Sequence, residues 1–188
     1  GSSKVCEMKQ EQTSSSVTVA QQLAHGIVNA RPEKEALGQQ VGQRLITDVL
    51  GICIAARHEF YVKAALSAFE QEGNCTVFGF EQKCGVEGAA FVNGIAAHGE
   101  DFDDTYEGGP VHAGVVIVPA LLAAAERHAL SGEDVLRGVA IGVEVMCRLC
   151  AVAPTRVHKA GFHPTAVFGV MGGVAGLGAA LHLTEEQL

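Results

Sequence analysis

The segment His98-Gly99-Glu100-Asp101-Phe102-Asp103-Asp104-Thr105, followed by Glu107 and His112, concentrates the side chains that could do chemistry. Five carboxylates fall within eight residues. Like charges at that spacing repel one another and perturb each other's protonation, and a chain does not bury such a cluster without partners. Two readings follow. One is a solvated acidic loop with an N-capping aspartate; the other is a site with a general base or ion ligands. Four histidines, His98, His112, His158 and His163, bracket this loop and a second one at residues 156–164. Each could be a hydrogen-bonded structural histidine. Their ordinary pKa of about 6.5 also suits them to moving protons near neutral pH, and loops on a rigid scaffold are where sites tend to sit.

Ion-binding patterns fit poorly. Counted from Asp101, an EF-hand loop would need glycine at its sixth position and glutamate at its twelfth, where this chain has Tyr106 and His112. Cys147-Arg148-Leu149-Cys150 is a lone Cys-x-x-Cys without the second pair or spaced histidines of a zinc site. It lies inside an apolar helical pattern rather than at a helix N-terminus, so buried free thiols are expected. No Walker or Gly-x-Gly-x-x-Gly sequence follows a strand pattern. No metal and no cofactor are expected.

The elements that must carry these loops read as helices. Val19, Leu23, Ile27 and Val28 recur at helical spacing, and Arg31-Pro32 ends that helix. Residues 33–56 form a second, with Leu37, Val41, Leu45, Val49, Ile52 and Ala56 as its apolar stripe. A third covers residues 60–72, with Gly73 as its cap. Residues 76–80 are the one strand candidate. Helix resumes over residues 85–98, then over 115–130 with apolar residues all round. Ser131, with acids in the next turn, starts another that runs to Val152. The last, residues 165–182, is uncharged over residues 165–181 but rich in glycine. That makes it a core helix whose small face admits a close neighbour, rather than a membrane span. Thr184-Glu185-Glu186-Gln187 is a capping box that announces a further helix. The expectation is a chain that forms the front part of a longer protein.

Composition excludes several function classes. The chain has 188 residues, 48% hydrophobic and 18% charged, with a net charge of −8. Disordered chains are hydrophobe-poor and charge-rich. Without a Lys/Arg cluster or a tryptophan, nucleic-acid binding is not expected. Glycine, at 23 residues, is well above the usual share. Six cysteines are too few for a disulfide scaffold, and no signal peptide is recognisable. Free thiols and a cytoplasmic location are expected, or a mitochondrial one in a eukaryote. Residues 1–16 read as a tag scar and a flexible polar arm.

Three motifs in order resemble the MmgE/PrpD family. They are Phe91-Val92-Asn93-Gly94-Ile95-Ala96-Ala97-His98 running into Asp101-Phe102-Asp103-Asp104-Thr105; Gly142-Val143-Glu144-Val145; and Gly161-Phe162-His163-Pro164-Thr165 with its Gly-rich helix. The resemblance implies an all-α, buried helical bundle over residues 17–188, with at most one short β hairpin or strand, and with the family's second, α+β domain absent. It implies a metal-independent lyase, a dehydratase or decarboxylase of a small di- or tricarboxylate such as cis-aconitate or 2-methylcitrate. An epimerase of the same family, or a catalytically silent helical fragment serving assembly, are the alternatives. Asp101, Thr105, His112 and His163 are the site residues it implies, and a homodimer the assembly. Gly108-Gly109-Pro110-Val111-His112-Ala113-Gly114 departs from the family's commoner His-Pro-Ser form.

Overall fold

The computed structural model describes residues 17–69 and 72–188; the arm expected over residues 1–16 lies outside them. Among the described residues are eight α-helices and one two-stranded hairpin, the all-α architecture expected. Helix α1, Val19–Asn29, starts at a capping box. The Thr18 hydroxyl accepts the Gln21 N–H, and the Gln21 carboxamide oxygen accepts the Thr18 N–H. Proline then shapes the junction. Pro32–Lys34 form a 3-10 turn, so α2, Ala36–Ala56, begins later than residue 33.

The face of α2 that is buried is Gly42, Val49, Cys53 and Ala56, not the whole stripe expected. Leu37 and Val41 are exposed and line a groove between α1, α2 and α6. Helix α3, Phe60–Ser67, is shorter than residues 60–72. Gly73 does not cap it; a Cβ there would collide with the backbone of Cys84.

The strand pattern resolves into β1, Cys75–Thr76, paired antiparallel with β2, Lys83–Cys84. A turn through Gly79, at φ +84°, joins them. Asn93 explains why this hairpin stays attached. Its side chain is buried in α4, Val86–His98, where it accepts the Phe78 N–H at 2.9 Å and donates to the Thr76 carbonyl at 2.9 Å.

The core is built by α4, α5 (Gly114–His128), α6 (Gly132–Val152) and α8 (Pro164–Ala180). Ser131 caps α6 as expected. Helices α6 and α8 cross with almost no side chains between them. A Cβ at Gly176 would lie 2.7 Å from the Gly138 carbonyl, and one at Gly172 would lie 2.9 Å from the Gly142 carbonyl. The small face of α8 is therefore buried, while Val167, Val170, Met171 and Val174 on its other face are exposed. Arg137 of α6 is buried and donates to the carbonyls of Ile27, Val28 and Ala179, tying down the C-terminal ends of α1 and α8. Residues 184–188 form a single turn, where a further helix was expected. Among the described residues no helix is long and apolar enough to cross a membrane.

Candidate active site

Helix α4 ends at His98, and the next residues reverse the chain. The Asp101 N–H donates to the His98 carbonyl at 3.1 Å, with Asp101 in the left-handed region at φ +56°. Aspartate tolerates that conformation better than most residues. The reversal brings Asp103 beneath His98. Asp104 comes next and serves α5. Its Oδ1 accepts the Gly114 N–H at 2.9 Å, an N-cap supplied from ten residues upstream, since Ala113 offers none. Burial pushes the Asp104 carboxyl above its ordinary value, with the Gly114 N–H opposing and the neighbouring Asp103 charge reinforcing.

The loop to α5 closes on itself, with Tyr106 N–H to the Val111 carbonyl at 3.1 Å. It delivers His112 beside Asp103. The one-turn helix α7, Arg156–Lys159, lies within the second loop expected at residues 156–164, which delivers His163 as the N-cap of α8. One hydrogen bond locks the two loops together. The buried Thr165 hydroxyl accepts the His112 N–H at 3.0 Å.

The four expected site residues thus converge. The His98 and His112 rings lie 4.9 Å apart, those of His98 and His163 5.4 Å, and those of His112 and His163 6.3 Å. Thr105 Oγ1 is 3.4 Å from His112 Nδ1, and Asp101 Oδ1 is 4.0 Å from His112 Nε2. The site is graded in exposure. The Asp103 side chain is 0% exposed and that of His112 15%, while that of Asp101 at the rim is 82% exposed. Loss of hydration, then the charges of His98, His112 and His158, hold His163 below the ordinary histidine pKa; Asp101 opposes them. His158 stands on α7 and is exposed.

Two residues of the cluster were not among those four. His98 Nδ1 is 2.9 Å from Asp103 Oδ2, and His98 Nε2 is 3.3 Å from His163 Nε2. The available signal was a histidine in the last turn of a helix running into an Asp-rich turn. His98, Asp101, Asp103 and His112 each present a nitrogen or oxygen, all within 4.8 Å of one another. A divalent cation accepts such donors, although here several of them already contact each other. The Cys147 and Cys150 pair sits in the last turns of α6. Burial pushes the Cys147 thiol up to about 11 and raises that of Cys150, as inert packed thiols require.

Residues 21–188 match the MmgE/PrpD N-terminal domain. The chain is 33% identical to the cis-aconitate decarboxylase of Aspergillus terreus over 136 residues, 69% of this chain and 28% of that protein. It is 28% identical to a cis-aconitate decarboxylase-like protein of Aspergillus oryzae over 159 residues, 79% of this chain and 33% of that one. Against human cis-aconitate decarboxylase the identity is 37% over 109 residues, 53% of this chain and 21% of the relative. The chain spans at most about a third of the length of these relatives. With the family's domain matched across almost all of its described residues, the chain belongs to the MmgE/PrpD family.

Proposed function

We propose that this chain supplies one wall of the active site of a lyase, a dehydratase or decarboxylase, that acts on a small di- or tricarboxylate by moving a proton at a carbon next to a carboxylate. The observation that carries this reading is the meeting of His112 and His163, from separate loops, over the Asp101–Thr105 turn. Imidazoles there can serve as acid or base, and a protonated one can bind a substrate carboxylate. The names of the relatives make cis-aconitate the first substrate to try.

Turnover needs more than this wall. The chain carries a net charge of −8, and lysine is scarce near the cluster. Lys34 pairs with Glu133, Lys83 donates to the Asn74 carbonyl, and Lys159 lies on α7. A site open at Asp101 stays wet, which weakens each electrostatic contact in it. We assign the activity to the complete protein, with the 188 residues alone inactive or nearly so. The test is incubation of both with cis-aconitate, 2-methylcitrate and iminodisuccinate, with products followed by NMR. Turnover by the complete protein alone is expected. Turnover by the chain within tenfold of it would show that one wall suffices. No conversion by either would remove the lyase reading. Dehydration, decarboxylation and epimerisation share the proton step, and the product separates them.

The site works without a bound ion in this reading, because Asp103 Oδ2 faces two histidine nitrogens and His98 faces His163. Elemental analysis is expected to find no stoichiometric metal. One equivalent of zinc, iron or magnesium, lost on replacing Asp103, would overturn that. A homodimer, with the exposed valines of α8 as part of its contact, completes the proposal.

A further inference from the structure

We infer that Asp103 is a positioning residue that, with the Thr165 N–H at the other end of a chain through His98 and His163, fixes the tautomers of the histidine cluster, leaving His112 Nε2 as the nitrogen that exchanges the substrate proton. This rests on the lyase reading for its chemistry, but not for its geometry.

The proton positions follow from the partners. A carboxylate can only accept, so His98 Nδ1 donates to Asp103 Oδ2 across 2.9 Å. Neutral His98 then carries a lone pair on Nε2. At the other end, the Thr165 backbone N–H can only donate, and it points to His163 Nδ1 at 3.2 Å. Neutral His163 therefore carries its proton on Nε2. The two Nε2 atoms lie 3.3 Å apart, one a donor and the other an acceptor, as a hydrogen bond requires. One consistent chain results: Thr165 N–H to His163, His163 to His98, His98 to Asp103.

His112 takes the remaining role. Its Nδ1 is 3.3 Å from Asp103 Oδ2 and 3.4 Å from Thr105 Oγ1, so the carboxylate's charge favours the proton on Nδ1, where the Thr105 hydroxyl can accept it. Among the described residues, His112 Nε2 has no partner within hydrogen-bond distance; the nearest carboxylate oxygen, on Asp101, is 4.0 Å away. A buried carboxylate behind one imidazole nitrogen, with the other nitrogen facing outward, is how an orienting acid prepares a general base. His163 has both nitrogens engaged, so in this state it shapes the site rather than taking the proton.

The Asp103 carboxylate has no other evident employment. Its Oδ1 is buried without a hydrogen-bond partner among the described residues, an arrangement that disfavours folding. Extra protonation of the His98–His163 pair would set two N–H groups against each other. The depressed His163 pKa, which also reflects His112 and His158 on one side and Asp101 on the other, agrees.

The test combines histidine tautomers, read by 15N NMR on histidine-labelled protein at pH 7.5, with kinetics of the complete protein. His→Gln variants assign the signals. In the parent protein His98 and His112 are expected as Nδ1–H and His163 as Nε2–H. Asp103→Asn preserves shape and is expected to mix the His112 tautomers while His98, still accepting from His163 at Nε2, stays Nδ1–H, and to lower kcat by about 10²-fold or more with KM within about threefold. His98→Asn keeps a donor for Asp103 and leaves the Thr165 N–H on His163 Nδ1, so the His112 and His163 tautomers are both expected to stay as in the parent. An unchanged His112 tautomer in Asp103→Asn, a His163 tautomer that mixes in His98→Asn, or His98 as Nε2–H in the parent, would overturn the inference. The expected tautomers in a protein that converts no polycarboxylate would leave the network standing and remove the lyase reading instead.

Discussion

His163 shows how burial and like charge act on a single residue. Its folded pKa lies below the ordinary histidine value because hydration is lost and three histidines surround it. Folded His163 therefore holds a proton less tightly than the unfolded chain does. As pH falls through about 6.5, the unfolded chain protonates first and gains population, so stability declines toward the folded pKa and is fully reduced below it. Urea midpoints at pH 7.5 and 5.0 are expected to fall further in the parent protein than in His163→Gln. Equal falls would contradict the assignment. That His112 and His163 lie in loops was legible in the sequence, and the loops bring their rings within 6.3 Å of each other. The His98–Asp103 pairing was not legible. It depends on a chain reversal at Asp101, φ +56°, that no helical or strand periodicity reports.

At the scale of elements, the number and order of the longer helices were legible, their ends less so: α2 starts after the Pro32 turn and α3 stops at Ser67. Ser131 caps where its hydroxyl and the acids after it said it would, because a cap is a local hydrogen bond; the Thr18 cap of α1 was not anticipated. Which face of a helix is buried depends on its neighbours. The α2 stripe misled at Leu37 and Val41, since Gly42 is the residue that meets Leu136 of α6, where a Cβ would come within 2.9 Å. Arg137, buried as an anchor for carbonyl groups, had no sequence signal at all. The glycines of α8 gave the general expectation of close packing but not which of them make it. Gly176 lies against the Gly138 backbone, whereas Gly173 has nothing within 4 Å of a Cβ. Gly176→Ala is expected to destabilise by about 1–3 kcal/mol through overpacking against backbone. Gly173→Ala is expected to stabilise by about 0.5–1 kcal/mol through helix propensity. Denaturant midpoints check both, and a Gly176→Ala protein as stable as the parent would contradict the crossing.

At the scale of the whole molecule, the glycine crossing turns the larger side chains of α8 outward. Val170 is 68% exposed and Val174 50%, and Phe162, beside the His163 loop, is 63% exposed. Helix α5 is largely buried, so the uncovered apolar surface is that of α8. Chain association is expected to cover it. Sedimentation at micromolar concentration should show a dimer, and Val170→Lys should shift it toward monomer without unfolding it. A stable monomer that binds no apolar dye would contradict the proposal. The same helix is capped by His163, so the proposed contact and the proposed active-site wall share one element, and disruption of the contact should also reduce turnover.

Proton transfer by His112 to a small polycarboxylate is read out by 1H NMR of the complete protein with cis-aconitate in D2O. Deuterium entry into product is read alongside the same measurement on His112→Ala. Product labelled at one carbon next to a carboxylate is expected from the parent. A rate lower by about 10²-fold or more is expected from the variant with its fold intact, the range of a general acid–base group. Label-free product, or a His112→Ala protein that turns over at the parent rate, would contradict it.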